Sequence, residues 1–118
     1  MSISLNLLVL KCKNVVESRI FYEKLGIKFK REKHGNGIEH LAAEMGSLIF
    51  ELYPLRDNEK PDNCLLGFST TLLADLSGDL MHDENIPIVK PLTESNDRLA
   101  LVVKDPDGRT IEISQKLN

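Results

Sequence analysis

The chain has 118 residues, of which 42% are hydrophobic and 28% charged, the balance of an ordinary globular protein and a length suited to one domain. A net charge of -3, 5% aromatic residues and no tryptophan argue against a nucleic-acid partner, which needs a basic footprint and rings on which bases can stack. Cys12 and Cys64 stand far apart with no further cysteines, so a disulfide framework is excluded and two reduced thiols are expected.

Met1 to Leu10 is apolar, but it lacks the basic start of a secretory leader, and Lys11 and Lys13 follow at once. No apolar run approaches the roughly 18 residues of a membrane span. A cytoplasmic protein without a membrane partner is therefore expected. Leu5 to Cys12 reads as a near-continuous apolar strand. Asn14 with Glu17 three residues on has capping-box spacing and predicts a helix start. Val16, Ile20, Phe21 and Leu25 repeat at helical spacing as its apolar stripe, and Gly26 ends it.

The pattern then turns to strands: Ile27 to Lys33, Ile38 to Glu44 and Leu48 to Tyr53, separated by His34-Gly35-Asn36-Gly37 and Met45-Gly46-Ser47. Pro54 and the polar stretch 56–63 form a linker. Beyond it the order repeats. Cys64 to Ser69 reads as a strand, and Thr71 to His82 as a helix with Leu72, Leu73, Leu76 and Leu80 as its stripe, weakened by Gly78. Ile86 to Lys90, interrupted by Pro87, Arg98 to Lys104 and Arg109 to Ser114 complete the series. The last two are joined by Asp105-Pro106-Asp107-Gly108, where proline presets φ and glycine accepts a positive one.

Two acids interrupt apolar strands. Glu51 lies among Leu48-Ile49-Phe50 and Leu52, and Glu112 between Ile111 and Ile113. Each faces either water on a wetted sheet or a cavity. In a common cavity, repulsion and desolvation would suit a general acid/base or a cation receptor. Alternation places Tyr53 on the face of Glu51 and His40 on that of Ala42. His34 reads as a turn residue and His82 as a helix-end cap.

A tandem βαβββ order in so short a chain resembles the vicinal oxygen chelate superfamily, which includes glyoxalase I, extradiol dioxygenases and bleomycin-resistance proteins. The resemblance rests on Asn14-Val15-Val16-Glu17-Ser18 leading to Phe21-Tyr22-Glu23-Lys24-Leu25-Gly26, on Phe50-Glu51-Leu52-Tyr53-Pro54, and on Asp105-Pro106-Asp107-Gly108 running into Ile111-Glu112-Ile113. It implies an α+β fold in which two βαβββ modules, about 1–55 and 64–116, curl a mixed sheet around a cavity within a single domain. In metal-dependent members, ligands come from the first and last strand of each module. Those positions fall on Leu7, Glu51, Leu65 and Glu112, so only the two glutamates could ligate. The expectation is a small organic ligand bound by Glu51, Glu112, Tyr53, His40, Leu7 and Leu65, without a catalytic metal, in a homodimer like the bleomycin-resistance branch. A weakly held divalent cation on two carboxylates, and a metal-dependent lyase, isomerase or dioxygenase with a reduced ligand set, are the alternatives.

Overall fold

The computed structural model describes residues 2–117. Met1 and Asn118, the ends of the expected domain, lie outside them. The elements run β1 (Leu7–Cys12), α1 (Val15–Glu23), β2 (Lys30–Glu32), β3 (His40–Met45), β4 (Leu48–Pro54), β5 (Leu65–Ser69), α2 (Leu73–Met81), β6 (Ile88–Ser95), β7 (Arg98–Lys104) and β8 (Thr110–Lys116). The chain divides into two compact units, Met1–Asp62 and Asn63–Asn118. Each is a βαβββ module, and the fold is α+β with two four-stranded mixed sheets, ordered β1-β4-β3-β2 and β5-β8-β7-β6.

In the first unit β1 runs parallel to β4, while β3 is antiparallel to both β4 and β2. Alternation sends Leu10, Cys12, Leu41, Ala43, Phe50 and Leu52 to one face, and all are buried. α1 covers that face. Asn14 accepts a hydrogen bond from the Glu17 backbone N–H at 3.1 Å, which caps the helix as the sequence predicts. Tyr22 meets Phe50 edge to face at 5.2 Å between centroids, and Phe29 packs on Phe50 at 5.8 Å. Each such ring removes about 2–3 kcal/mol worth of apolar surface from water.

The buried stripe of α1 differs from the expected one. Ser18, Phe21 and Tyr22 are buried, whereas Val16 is 65% and Ile20 53% exposed. Residues 18, 21, 22 and 25 also recur at helical spacing, and the two aromatic rings offer more area for burial than Val16 and Ile20 do.

The second unit repeats the scheme. β5 is parallel to β8, and β7 is antiparallel to both β8 and β6. Leu101, Val103, Ile111 and Ile113 are buried, as are Leu73 and Leu80 of α2, while Leu72 is 58% exposed. α2 begins where Gln115 Oε1 accepts from the Leu73 backbone N–H at 3.0 Å, so a side chain of β8 supplies the cap that Leu72 cannot. β6 is longer than expected, running through Pro91 to Ser95 with register shifts near Lys90 and Thr93. Proline is tolerated because β6 is an edge strand. Asn96 and Asp97, with φ of 52° and 59°, then form the tight turn into β7, a hairpin in which both central residues are left-handed.

The Asp105–Arg109 turn is closed by more than backbone preference. Asp105 Oδ1 accepts from the backbone N–H groups of Asp107 (2.9 Å) and Arg109 (3.0 Å). Arg109 Nη1 donates to Asp105 Oδ2 at 3.0 Å and Asp107 Oδ2 at 3.3 Å. Arg109 is fully buried. A buried charge needs such partners on every side, so the turn's acids serve the arginine as well as the backbone. Among the described residues no helix is long and apolar enough to cross a membrane, and both cysteines are unbridged.

Candidate functional site

The face of the first sheet away from α1 carries Leu7 and Val9 from β1, Glu51 and Tyr53 from β4, His40 from β3 and Glu32 from β2. Parallel pairing sets Val9 beside Glu51 and Leu7 beside Ile49, so Leu7 shares the face of Glu51 one step along the strand. Leu7 is 49% exposed and Val9 36%. These two leave an apolar strip accessible next to a polar group of residues.

That group centres on His40, which is buried to 2% exposure, and Glu51, at 9%. The Nδ1 of His40 lies 3.0 Å from the Ile38 carbonyl oxygen. A carbonyl only accepts, so Nδ1 carries the hydrogen and fixes the ring. Nε2 then accepts from the Tyr53 hydroxyl at 3.4 Å and faces two carboxylates, Oε1 of Glu32 and Oε2 of Glu51, each also 3.4 Å away. His34 Nε2 approaches the same Glu32 oxygen at 3.6 Å, and the His34 and His40 rings tilt together at 5.2 Å. One ligating atom from each of Glu32, His34, His40 and Glu51 falls within 4.8 Å of the others.

Tyr53 stacks on His40, with ring centroids 4.1 Å apart and planes 9° from parallel. Lys11 Nζ stands 5.6 Å from the centroid of the Tyr53 ring and pairs with Glu59 of the linker at 3.4 Å. Partial burial, then the negative charges of Glu51 and Glu32, push the Tyr53 phenol above its ordinary pKa.

Glu112 has different surroundings. Arg98 Nη2 donates to its Oε1 at 2.9 Å and to Ser114 Oγ at 2.8 Å, so its charge already has a partner. Gly67 is its neighbour on β5, and a Cβ there would lie 4.0 Å from Glu112 Oε1. Leu65, two residues earlier on β5, is 66% exposed. The second unit also holds an open cleft of about 910 Å³ lined by Ser69, Thr70, Asn96, Arg98, Ser114 and Lys116 among others.

The structure thus brings His40, Tyr53, Glu51 and Leu7 onto one face of the first sheet, and places Glu112 and Leu65 on the second. Glu32 carried no signal of its own in the sequence, and His34 read only as a turn residue. Lys30, Glu32 and His34 alternate as far as the turn, and register pairs Glu32 with His40. Carrying the period of two into the turn would have exposed the grouping.

No family model matches the chain, and no curated protein matches it. Solved structures do share its architecture. An integron cassette protein from the mobile metagenome of V. cholerae is 29% identical, covers 98% of this chain and 97% of its own, and superposes with a TM-score of 0.72. TnmS3, an antibiotic-binding protein from Streptomyces sp. CB03234, is 18% identical with 98% of each chain covered and a TM-score of 0.75. The oxidase ChaP-H2 is 13% identical, covers 98% of this chain and 95% of its own, and has a TM-score of 0.77. At such identities the last two establish shared fold alone.

Proposed function

We propose that the protein binds a small organic molecule, as a homodimeric, cytoplasmic vicinal oxygen chelate protein of the glyoxalase and bleomycin-resistance type. The observation that carries this reading is the stacked His40–Tyr53 pair set beside the half-exposed Leu7 and Val9. The half-buried Tyr53 ring, backed by the buried His40 and set next to aliphatic side chains, offers a flat surface for a planar organic group, and the adjoining carboxylates of Glu32 and Glu51 favour one bearing an amine or other cation. The fold shared with an antibiotic-binding protein supports the same reading. On the second unit, Glu112 and Leu65 are the corresponding contact candidates, with Arg98 tempering the charge of Glu112.

Calorimetric titration with matched panels of planar cationic and anionic compounds tests this. Cationic aromatics are expected to bind, and Tyr53→Ala to weaken them by about 3- to 10-fold, the scale of a lost aromatic stack. Binding confined to anions, or indifferent to Tyr53, would contradict it.

One observation favours a second reading, a metal-dependent lyase, isomerase or dioxygenase with a reduced ligand set: Glu51 stands 3.4 Å from His40 and within 4.8 Å of Glu32. The ligand set that the family resemblance implies does not fit, because Leu7 and Leu65 have no ligating atom.

A further inference from the structure

We propose that Glu32, His34, His40 and Glu51 form a site for one divalent transition-metal ion, of the zinc or nickel class, built entirely within the first unit. This set differs from the one expected from the first and last strands of both modules. It shares only Glu51 with it, and takes its other members from β2, the β2–β3 turn and β3.

A tetrahedral ion with bonds of about 2.0–2.1 Å places neighbouring donor atoms about 3.3 Å apart. The contacts from His40 Nε2 to Glu32 and Glu51 are both 3.4 Å, and that from His34 Nε2 to Glu32 is 3.6 Å. The widest separation in the set stays within 4.8 Å, and the exposed His34 ring can turn to close it.

The orientation of His40 is a second and independent observation. Its side chain is 1% exposed, and the Ile38 carbonyl, outside the cluster, holds Nδ1 at 3.0 Å. Fixing one imidazole nitrogen on a backbone carbonyl so that the other presents its lone pair is how proteins orient a ligating histidine. Without a cation, that lone pair has the Tyr53 hydroxyl at 3.4 Å as its donor, and the two carboxylates beside it repel each other. An ion with two positive charges satisfies the nitrogen and balances both carboxylates. Two imidazoles with two carboxylates suit zinc, nickel or copper better than magnesium or calcium.

The two halves of the site also differ usefully. His40 and Glu51 are buried and held, whereas the side chains of His34 and Glu32 are 74% and 29% exposed, giving an ion a route in from solvent.

The test uses tag-free protein dialysed against a chelator, then titrated with zinc by calorimetry, with bound metal counted by elemental analysis and cobalt substituted for its visible spectrum. One ion per chain and the intense visible bands of low-coordinate cobalt are expected. His34→Ala, at an exposed position that the fold does not need, and Glu51→Gln should each weaken zinc by about 100-fold or more, beyond the usual loss of an outer partner. His82→Ala, outside the cluster, should bind as the parent does. Absent uptake, uptake indifferent to both cluster variants, or nitrogen NMR showing His40 doubly protonated with zinc present would each overturn the proposal. Running the compound panel with and without chelator keeps this outcome separate from that of the organic-ligand reading.

Discussion

Glu51 and Glu112 occupy matching places in the two modules, yet their neighbours give them different chemistry. Glu51 is nearly buried against His40, while Glu112 is half-exposed and answered by Arg98. Alternation could assign each acid a face, but a sequence does not show which distant side chain meets it. Arg98, fourteen residues from Glu112, gave no local signal. Tyr53 reports on the Glu51 side directly. Its folded phenol ionises above the ordinary value of 10.0, through burial first and then Glu51 and Glu32. Its contribution to stability is therefore complete below pH 10 and declines as pH rises through the folded-state value. In a Tyr22→Phe background, phenolate absorbance should show Tyr53 titrating above a free tyrosine. Glu51→Gln should bring it part of the way down, since burial remains. A midpoint indifferent to Glu51 would remove that carboxylate from the site.

At the scale of elements, the sequence read most clearly where local chemistry was decisive. Asn14 caps α1, and β7 runs from Arg98 to Lys104 as expected. It read poorly where tertiary partners decide. Phe21 is buried as expected, but Val16 and Ile20 lost their places in the core to Ser18 and Tyr22. Pro87 and Pro91 hid an edge strand whose outer N–H groups need no ladder partner. The start of α2 depends on Gln115, 42 residues away. Gln115→Ala should therefore cost about 1 kcal/mol, the usual value of a lost N-cap acceptor. Gly78 lies within a continuous α2, and a Cβ there meets nothing within 4 Å. Gly78→Ala should stabilise by roughly 0.5–1 kcal/mol through helix propensity. Denaturant melts of both variants check the two signs.

At the scale of the molecule, the repeated strand, helix and three strands were legible because hydrophobic period and turn chemistry agreed in both halves, and the same strand order recurs in both sheets. Function was less legible. The cluster around His40 depends on the β2–β3 register, and exposed leucines on sheet faces carry no label for what covers them. The proposed pairing of two copies rests on the family resemblance, and Leu65, 66% exposed, is a side chain it would cover. Sedimentation equilibrium should give twice the chain mass, with Leu65→Lys shifting the population toward the monomer; a monomer at high concentration would contradict the pairing. Two-dimensional NMR during titration with the tightest planar cation from the compound panel shows directly whether the ligand seats on the Glu51 face of the first sheet. Shift changes are expected at Leu7, Val9, His40, Glu51 and Tyr53. Changes confined to the cleft near Arg98 and Ser114, or to the α1-covered face of the first sheet, would contradict that seating.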